Sequence, residues 1–269
     1  MATLSQAEVA RYRETGCIFP IRVMAEAEAA GILAQLDAVR PDDVAGIPHP
    51  WIYKSYLLFT WMDALVRDPR ILDRVEAIVG PHILVMSADI WRKEAGETRH
   101  ISFHQDAGYW FLDPPEIATA WVALTEATQE NGCVRFLAGS HLAGRVEHEN
   151  TYAADNMLSH GQTVKVPVDE TKVLIDALRP GEMSLHHALL AHGSGPNRTT
   201  RPRVGICVRY LPGHIRWRDG PPISALLVRG RHGGNLILEE SPEADLSAAA
   251  IAQHTRLLEP HAPTRYVNM

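Results

Sequence analysis

Two imidazoles, one carboxylate and one guanidinium stand out by type and spacing. His104 and Asp106 lie two residues apart in Ile101-Ser102-Phe103-His104-Gln105-Asp106-Ala107-Gly108. Side chains alternate faces along a strand, so this spacing predicts that both point the same way and can grip one metal ion. Two ligands make a weak site. The candidate third, His192, lies far downstream in Ala191-His192-Gly193-Ser194-Gly195-Pro196-Asn197, a Gly-, Ser- and Pro-rich strand exit. Two His and one carboxylate with open coordination positions form the facial triad associated with non-haem Fe(II) oxygen chemistry. Arg203 then opens the run Val204-Gly205-Ile206-Cys207-Val208. Its guanidinium can hold a carboxylate through two parallel hydrogen bonds, a geometry Lys lacks. The chain has 14 His, so no single one decides anything; the combination does.

These residues need strands to present them. The first 80 residues read as mainly helical. Ser5-Gln6-Ala7-Glu8 is a capping box opening a helix that Gly16 ends; Ala25 to Val39 is a second helix stopped by Pro41; Ile71 to Val79 is a third, closed by Gly80-Pro81. Pro41 to Pro50 reads as loop. From 81 to 215 the texture changes to short β-type runs between Gly, Pro and Asn: Ile83–Trp91, Ile101–His104, Thr119–Leu124, Val134–Leu137, Thr163–Val168, Met183–His187 and Val204–Tyr210. Asn131-Gly132, between Trp121–Leu124 and Cys133–Phe136, is the kind of turn that joins antiparallel partners. Strands do not alternate with helices here, which disfavours a parallel doubly wound sheet; a mainly β, α+β architecture with a double-sheet jelly roll fits best. Residues 216–269 form a C-terminal extension with a helical stretch from Leu246 to Leu258. One domain over 1–269 is expected.

The net charge of −6 argues against nucleic acid or an anionic membrane surface as partner, since both call for a basic patch. A small soluble molecule fits better. The start of the chain has no basic region followed by an apolar run, so a cytoplasmic protein is expected, and because the pattern marks no exposed hydrophobic seam, a monomer or homodimer is expected. Cys17, Cys133 and Cys207 are odd in number and widely spaced, which suggests reduced, buried thiols.

His104-x-Asp106, His192-Gly193-Ser194-Gly195-Pro196-Asn197 and Arg203, with Ala120–Thr125 and Glu130-Asn131-Gly132-Cys133 between them, resemble the phytanoyl-CoA dioxygenase family of Fe(II)- and 2-oxoglutarate-dependent oxygenases. The resemblance runs from Tyr12-x-x-x-Gly16-x-Ile18 through Gly139-Ser140-His141 to Arg209-Tyr210. It implies a double-stranded β-helix, a cupin-like jelly roll with N-terminal helices packed on one sheet. It implies His104, Asp106 and His192 as iron ligands, and Arg203 as the partner of the distal carboxylate of 2-oxoglutarate. It further implies that Ser194 assists that carboxylate and Trp121 lines the co-substrate pocket, with O2 as the oxidant. A carboxylate at Asp106, where halogenating relatives carry a small residue, implies hydroxylation or another oxidation over halogenation. Non-catalytic metal or carboxylate binding and zinc-dependent hydrolysis are the alternatives.

Other residues carry two readings each. Ser87, Asp89, Trp91 and Lys93 alternate onto one face, which borders either the co-substrate or solvent. Tyr109 and Trp110 form a substrate wall or pack in the core. The aromatic cluster Trp51, Tyr53, Tyr56, Phe59 and Trp61 is expected in the core. Alternation sends only one of His186 and His187 inward, and both are read as structural. Arg209 shares the face of Arg203 but sits roughly 20 Å along the strand at about 3.3 Å per residue, too far to serve the same carboxylate. Arg216, Arg218, Arg229 and Arg231 either close over an anionic substrate or form a solvated basic face, the second being the default.

Overall fold

The strands Ala118–Ala123 and Arg203–Pro212 are buried along their whole length, yet their residue types alternate. Ala118, Ala120, Val122, Val204, Ile206, Val208 and Tyr210 form one apolar face; Thr119, Trp121, Arg203, Cys207 and Arg209 form the other. Burying the polar side chains is costly unless each finds a partner, so this second face must look onto something polar. In the computed structural model, which describes residues 3–109, 112–219 and 223–259, these two strands lie at the centre of a seven-stranded sheet. Its order is Cys17–Arg22, Glu182–His187, Ala118–Ala123, Arg203–Pro212, Ile83–Lys93, Ser224–Arg229 and Ile237–Leu238. All neighbours are antiparallel except the last pair. A four-stranded antiparallel sheet, Ile101–His104, His192–Ser194, Val134–Leu137 and Val173–Ile175, supplies the other wall. The expected jelly roll is present.

Helices cover the apolar face. Gln6–Thr15 starts at Ser5, whose backbone N–H donates to Glu8 Oε2 at 2.7 Å, and ends at Gly16 with φ 84°. Glu26–Asp37 follows. Pro69–Val79 is capped by Asp68, which accepts from the Arg70 N–H at 2.7 Å. Its Ile71, Leu72, Val75 and Val79 join Val85, Val122 and Val208 in the largest apolar cluster. Each such side chain contributes about 1.5–3 kcal/mol on burial. Among the described residues no helix is long and apolar enough to cross a membrane.

Two local expectations fail and one helix escapes the sequence reading, each for a physical reason. A helix at Thr60–Val66 has no local start signal in the sequence, because its first N–H is capped by Asp245 Oδ1, 2.7 Å away in space and far away in sequence. Pro41, expected only as a stop, occupies the first turn of the one-turn helix Pro41–Val44, a position where its missing N–H costs nothing. Most telling, Asn131-Gly132 does not pair its flanking strands. Ala118–Ala123 belongs to the large sheet and Val134–Leu137 to the small one, so the turn carries the chain across the interior. Gly132 has φ +76°, and a Cβ there would lie 2.3 Å from Gly195 O. Gly132→Ala is therefore expected to lower stability by about 1–3 kcal/mol or more, because strain at a left-handed position adds to a backbone clash. An unchanged thermal midpoint would contradict this account.

Candidate metal centre

His104 and His192 are cross-strand partners in the small sheet. Pairing sets the two rings 4.2 Å apart, centroid to centroid. His104 Nδ1 is 3.0 Å from Ser102 O and His192 Nδ1 is 2.9 Å from Leu190 O. Both therefore spend Nδ1 on a backbone carbonyl and turn Nε2 inward, the usual way a ligating imidazole is oriented.

Asp106 arrives differently from the expectation. The strand ends at His104, and Asp106 opens a 3-10 turn over Asp106–Tyr109, so convergence does not come from strand alternation. Gln105, fully buried, holds the bend: its amide donates to Leu189 O at 2.7 Å and Gly144 O at 2.9 Å and its carbonyl accepts from the Val146 N–H at 3.1 Å. The outcome is nonetheless the expected cluster. Ligand atoms of His104, Asp106 and His192, all buried, lie within 4.8 Å of one another.

The large sheet meets this cluster through rows of side chains set by register. The row nearest Asp106 is His186, Thr119, Arg209 and Ser87 on four adjacent strands. Thr119 Oγ1 donates to Asp106 Oδ2 at 2.9 Å, Arg209 lies 3.4 Å from Oδ1, and His186 Nε2 is 3.7 Å from Oδ2. The next row holds Ser184, Trp121, Cys207 and Asp89. Arg203 pairs with Lys93 in the row at the far end.

Electrostatics match the division. Burial would raise the Asp106 carboxyl, but Arg209 and His186 hold it well below the usual carboxylate range. Burial, with His192 nearby, pushes His104 down to about 3, and burial, with His186 nearby, pushes His192 down to about 4, so both imidazoles are neutral and can donate a lone pair. At the other end Arg203 is 1 % exposed and burial lowers it to about 10. Its guanidinium stacks 5.2 Å from the Trp121 ring and donates to Gly132 O at 2.7 Å. Gly205 makes that stack possible, because a Cβ there would meet the Trp121 ring at 2.2 Å. Arg203 Nε and Ser194 Oγ are buried without a hydrogen-bond partner among the described residues. Two orphaned donors lining one cavity, Arg203 from the large sheet and Ser194 from the small one, suit a carboxylate. Lys93, behind Arg203, donates to Arg99 O and Gly195 O, and burial together with the Arg203 charge lowers it to about 7.

A cavity of about 150 Å³ runs between the cluster and Arg203. Ser87, Asp89 and Trp91 line it, which decides the inward reading of their strand. Two residues that the sequence alone casts as bystanders also belong to it. His186, expected to be structural, faces the cavity with neither ring nitrogen hydrogen-bonded among the described residues. Arg209, indeed remote from the Arg203 carboxylate position, instead pairs with Asp89 and Asp106. Only cross-strand register reveals both. His187 points elsewhere, against His141. Arg218 and Arg229 are paired to Asp113, Asp73 and Glu76, in keeping with a surface role. The three cysteines are free and buried. Trp110 and the side chain of Tyr109 lie outside the described residues.

Comparison with known proteins agrees with this architecture. The non-haem monooxygenase ThoJ superposes with a TM-score of 0.85 at 32% identity, covering 95% of this chain and 96% of that one; its nickel complex gives 0.80 at 30%. Peroxisomal phytanoyl-CoA dioxygenase of Homo sapiens is 28% identical over 158 residues, 56% of this chain and 46% of its own length. A probable alpha-ketoglutarate-dependent hypophosphite dioxygenase of Stutzerimonas stutzeri is 27% identical over 162 residues, 59% of this chain and 56% of its own length. The chain thus spans about half the length of the curated relatives it matches. The family pattern described as Phytanoyl-CoA dioxygenase (PhyH) matches residues 58–205, more than half of the chain, and includes His104, Asp106, His192 and Arg203. With the fold, the cluster and the pattern in agreement, the chain belongs to the phytanoyl-CoA dioxygenase family.

Proposed function

We propose that this chain is an Fe(II)- and 2-oxoglutarate-dependent oxygenase that hydroxylates a small molecule and releases succinate and CO2. The observation that carries the reading is one buried cavity with two neutral imidazoles and a carboxylate at one end and a buried arginine at the other. His104, Asp106 and His192 would hold the metal on one face, leaving positions for a chelating 2-oxo acid and for dioxygen. The metal and 2-oxo acid supply the oxidising chemistry, and the protein supplies orientation and dryness. Arg203 and Ser194 would take the distal carboxylate, and Trp121 would form the wall beside it. Ser87 would border the reacting edge of the substrate, with Tyr109 and Trp110 as further candidates for that wall. A carboxylate at position 106 fills the coordination position that a halide needs, which favours hydroxylation over halogenation.

Anaerobic addition of Fe(II) and 2-oxoglutarate should produce a weak visible charge-transfer band in the wild type and none in His104→Ala. Absence of the band and of bound iron in the wild type would sink the reading. Thr119→Val keeps the shape of the side chain but removes the 2.9 Å hydrogen bond to Asp106. Loss of such an outer partner is expected to weaken iron binding about 10- to 100-fold, measured as the iron concentration that half-restores the band.

A further inference from the structure

The inner cavity does not end at the metal cluster. Tyr53, Asp89, Trp91 and Met157 also border a second, larger cavity of about 410 Å³. The two are therefore adjacent, and these four residues form the boundary, or neck, between them. A volume of that size holds a drug-sized ligand, whereas the inner one suits a small acid.

The outer wall is built by elements that contribute nothing to the metal cluster. Leu36 and Val39 come from the end of the helix Glu26–Asp37 and the residues after it. Trp51, Ile52 and Tyr53 come from a segment hydrogen-bonded to the central strand, with the Ile90 N–H donating to Ile52 O at 3.0 Å. Trp91 completes a wall of three aromatic rings, each able to lie against a flat ligand.

The charged groups around this space are already compensated. Arg92 donates to Asp37 at 2.6 Å and to Glu94 at 2.7 Å. Arg99 donates to Glu97 at 2.7 Å. At the neck, Asp89 is paired with Arg209. Four carboxylates thus surround three guanidinium groups, leaving no excess of positive charge to receive an anion. A phosphate- or carboxylate-bearing ligand would find no uncompensated cation there among these groups and would meet a slight excess of negative charge.

Resting on the oxygenase reading of the inner cavity, we propose that the outer cavity is the substrate site. It takes a ring-bearing, largely apolar small molecule without an anionic group, and an acyl-coenzyme A thioester is not its substrate. The ligand's body lies against Trp51, Tyr53 and Trp91, and one edge passes Met157 toward the metal cluster.

The test uses a matched pair of probes, naphthalene-2-carboxamide and 2-naphthoate, which differ in charge and hardly in shape, together with octanoyl-coenzyme A. Binding is followed anaerobically by quenching of tryptophan fluorescence, with excess 2-oxoglutarate present so that Arg203 is engaged. The carboxamide should bind at least about tenfold more tightly than the carboxylate, a difference of about 1.4 kcal/mol, and octanoyl-coenzyme A should not displace it. Val39→Trp, which fills the outer cavity alone, should weaken the carboxamide by about tenfold or more while leaving 2-oxoglutarate affinity at the wild-type value. If Val39→Trp also loses 2-oxoglutarate, Trp51→Ala, which removes a wall without adding bulk, takes its place with the same expectation. No carboxamide binding, equal or tighter binding of 2-naphthoate or octanoyl-coenzyme A, or indifference to both substitutions would overturn the proposal. A wild type that binds the carboxamide but no 2-oxoglutarate would instead count against the reading of the inner cavity.

Discussion

Asp106→Ala is expected to abolish iron retention and succinate release. The carboxylate is one of three donors within 4.8 Å of one another, and it is the only anionic one. Removing an outer hydrogen-bond partner of a metal ligand costs about 10- to 100-fold, so loss of the ligand itself should exceed that range. The substitution has a second consequence. Arg209 loses the neighbour at 3.4 Å and keeps Asp89 and Ser87. Breaking a buried pair by truncation costs about 3–5 kcal/mol, and the surviving Asp89 contact should hold the loss below that. Asp106→Asn separates the two effects: it keeps the volume and can still accept from Thr119, so it should lose iron as fully but stability less. Iron per chain after desalting and the thermal midpoint read the two quantities. Wild-type succinate release by Asp106→Ala would show that Asp106 is not a ligand.

The second large effect pairs a loss with a gain. Arg203→Met should raise the dissociation constant of 2-oxoglutarate by about 30-fold or more, since truncating one member of a buried, hydrogen-bonded charge pair costs about 2–5 kcal/mol. The thermal midpoint of the 2-oxoglutarate-free protein should hold or rise. The reason lies in what Arg203 satisfies by itself: it has Gly132 O and the face of Trp121, while its Nε has no hydrogen-bond partner among the described residues. A buried guanidinium in that state costs the fold free energy, and Met of similar length removes the cost. Arg203→Lys should not restore affinity, because an ammonium is a point donor and cannot match both oxygens of a carboxylate. Unchanged 2-oxoglutarate affinity in Arg203→Met would move the distal carboxylate elsewhere.

Both predictions concern residues that are legible in the amino-acid sequence, and the reason is chemical. His104, Asp106, His192 and Arg203 are types whose burial has to be justified; His104, His192 and Arg203 stand at strand ends, and Asp106 follows one within two residues. The helices with local caps, Gln6–Thr15 and Pro69–Val79, are legible for a similar reason: Ser5, Glu8, Asp68, Gly16 and Gly80 act within a few residues of the backbone groups they satisfy. The helix Thr60–Val66 is not, because its capping carboxylate, Asp245, belongs to the far end of the chain. The aromatic cluster divides along the same line. Tyr56 and Phe59 are core, as their composition suggests, while Trp51 and Tyr53 line the outer cavity, and nothing in an aromatic side chain's own pattern tells a core wall from a pocket wall.

By itself the sequence determined the two-layer β architecture, the four residues at the ends of the inner cavity, and which face of each long strand carries polar side chains. The architecture and the polar faces follow from period-two alternation and the four residues from their chemistry and motif setting, all of them local. Tertiary structure alone decided that Asn131-Gly132 crosses between sheets, that Asp106 reaches the imidazoles through a turn, and that His186, Thr119 and Arg209 form one row against it. Register between strands distant in the chain sets such neighbours, and a shift of one residue would turn every one of these side chains to the opposite face. The outer cavity is the extreme case. Its walls come from a helix end, a loop and the edge of a strand, which no periodicity connects and only packing brings together.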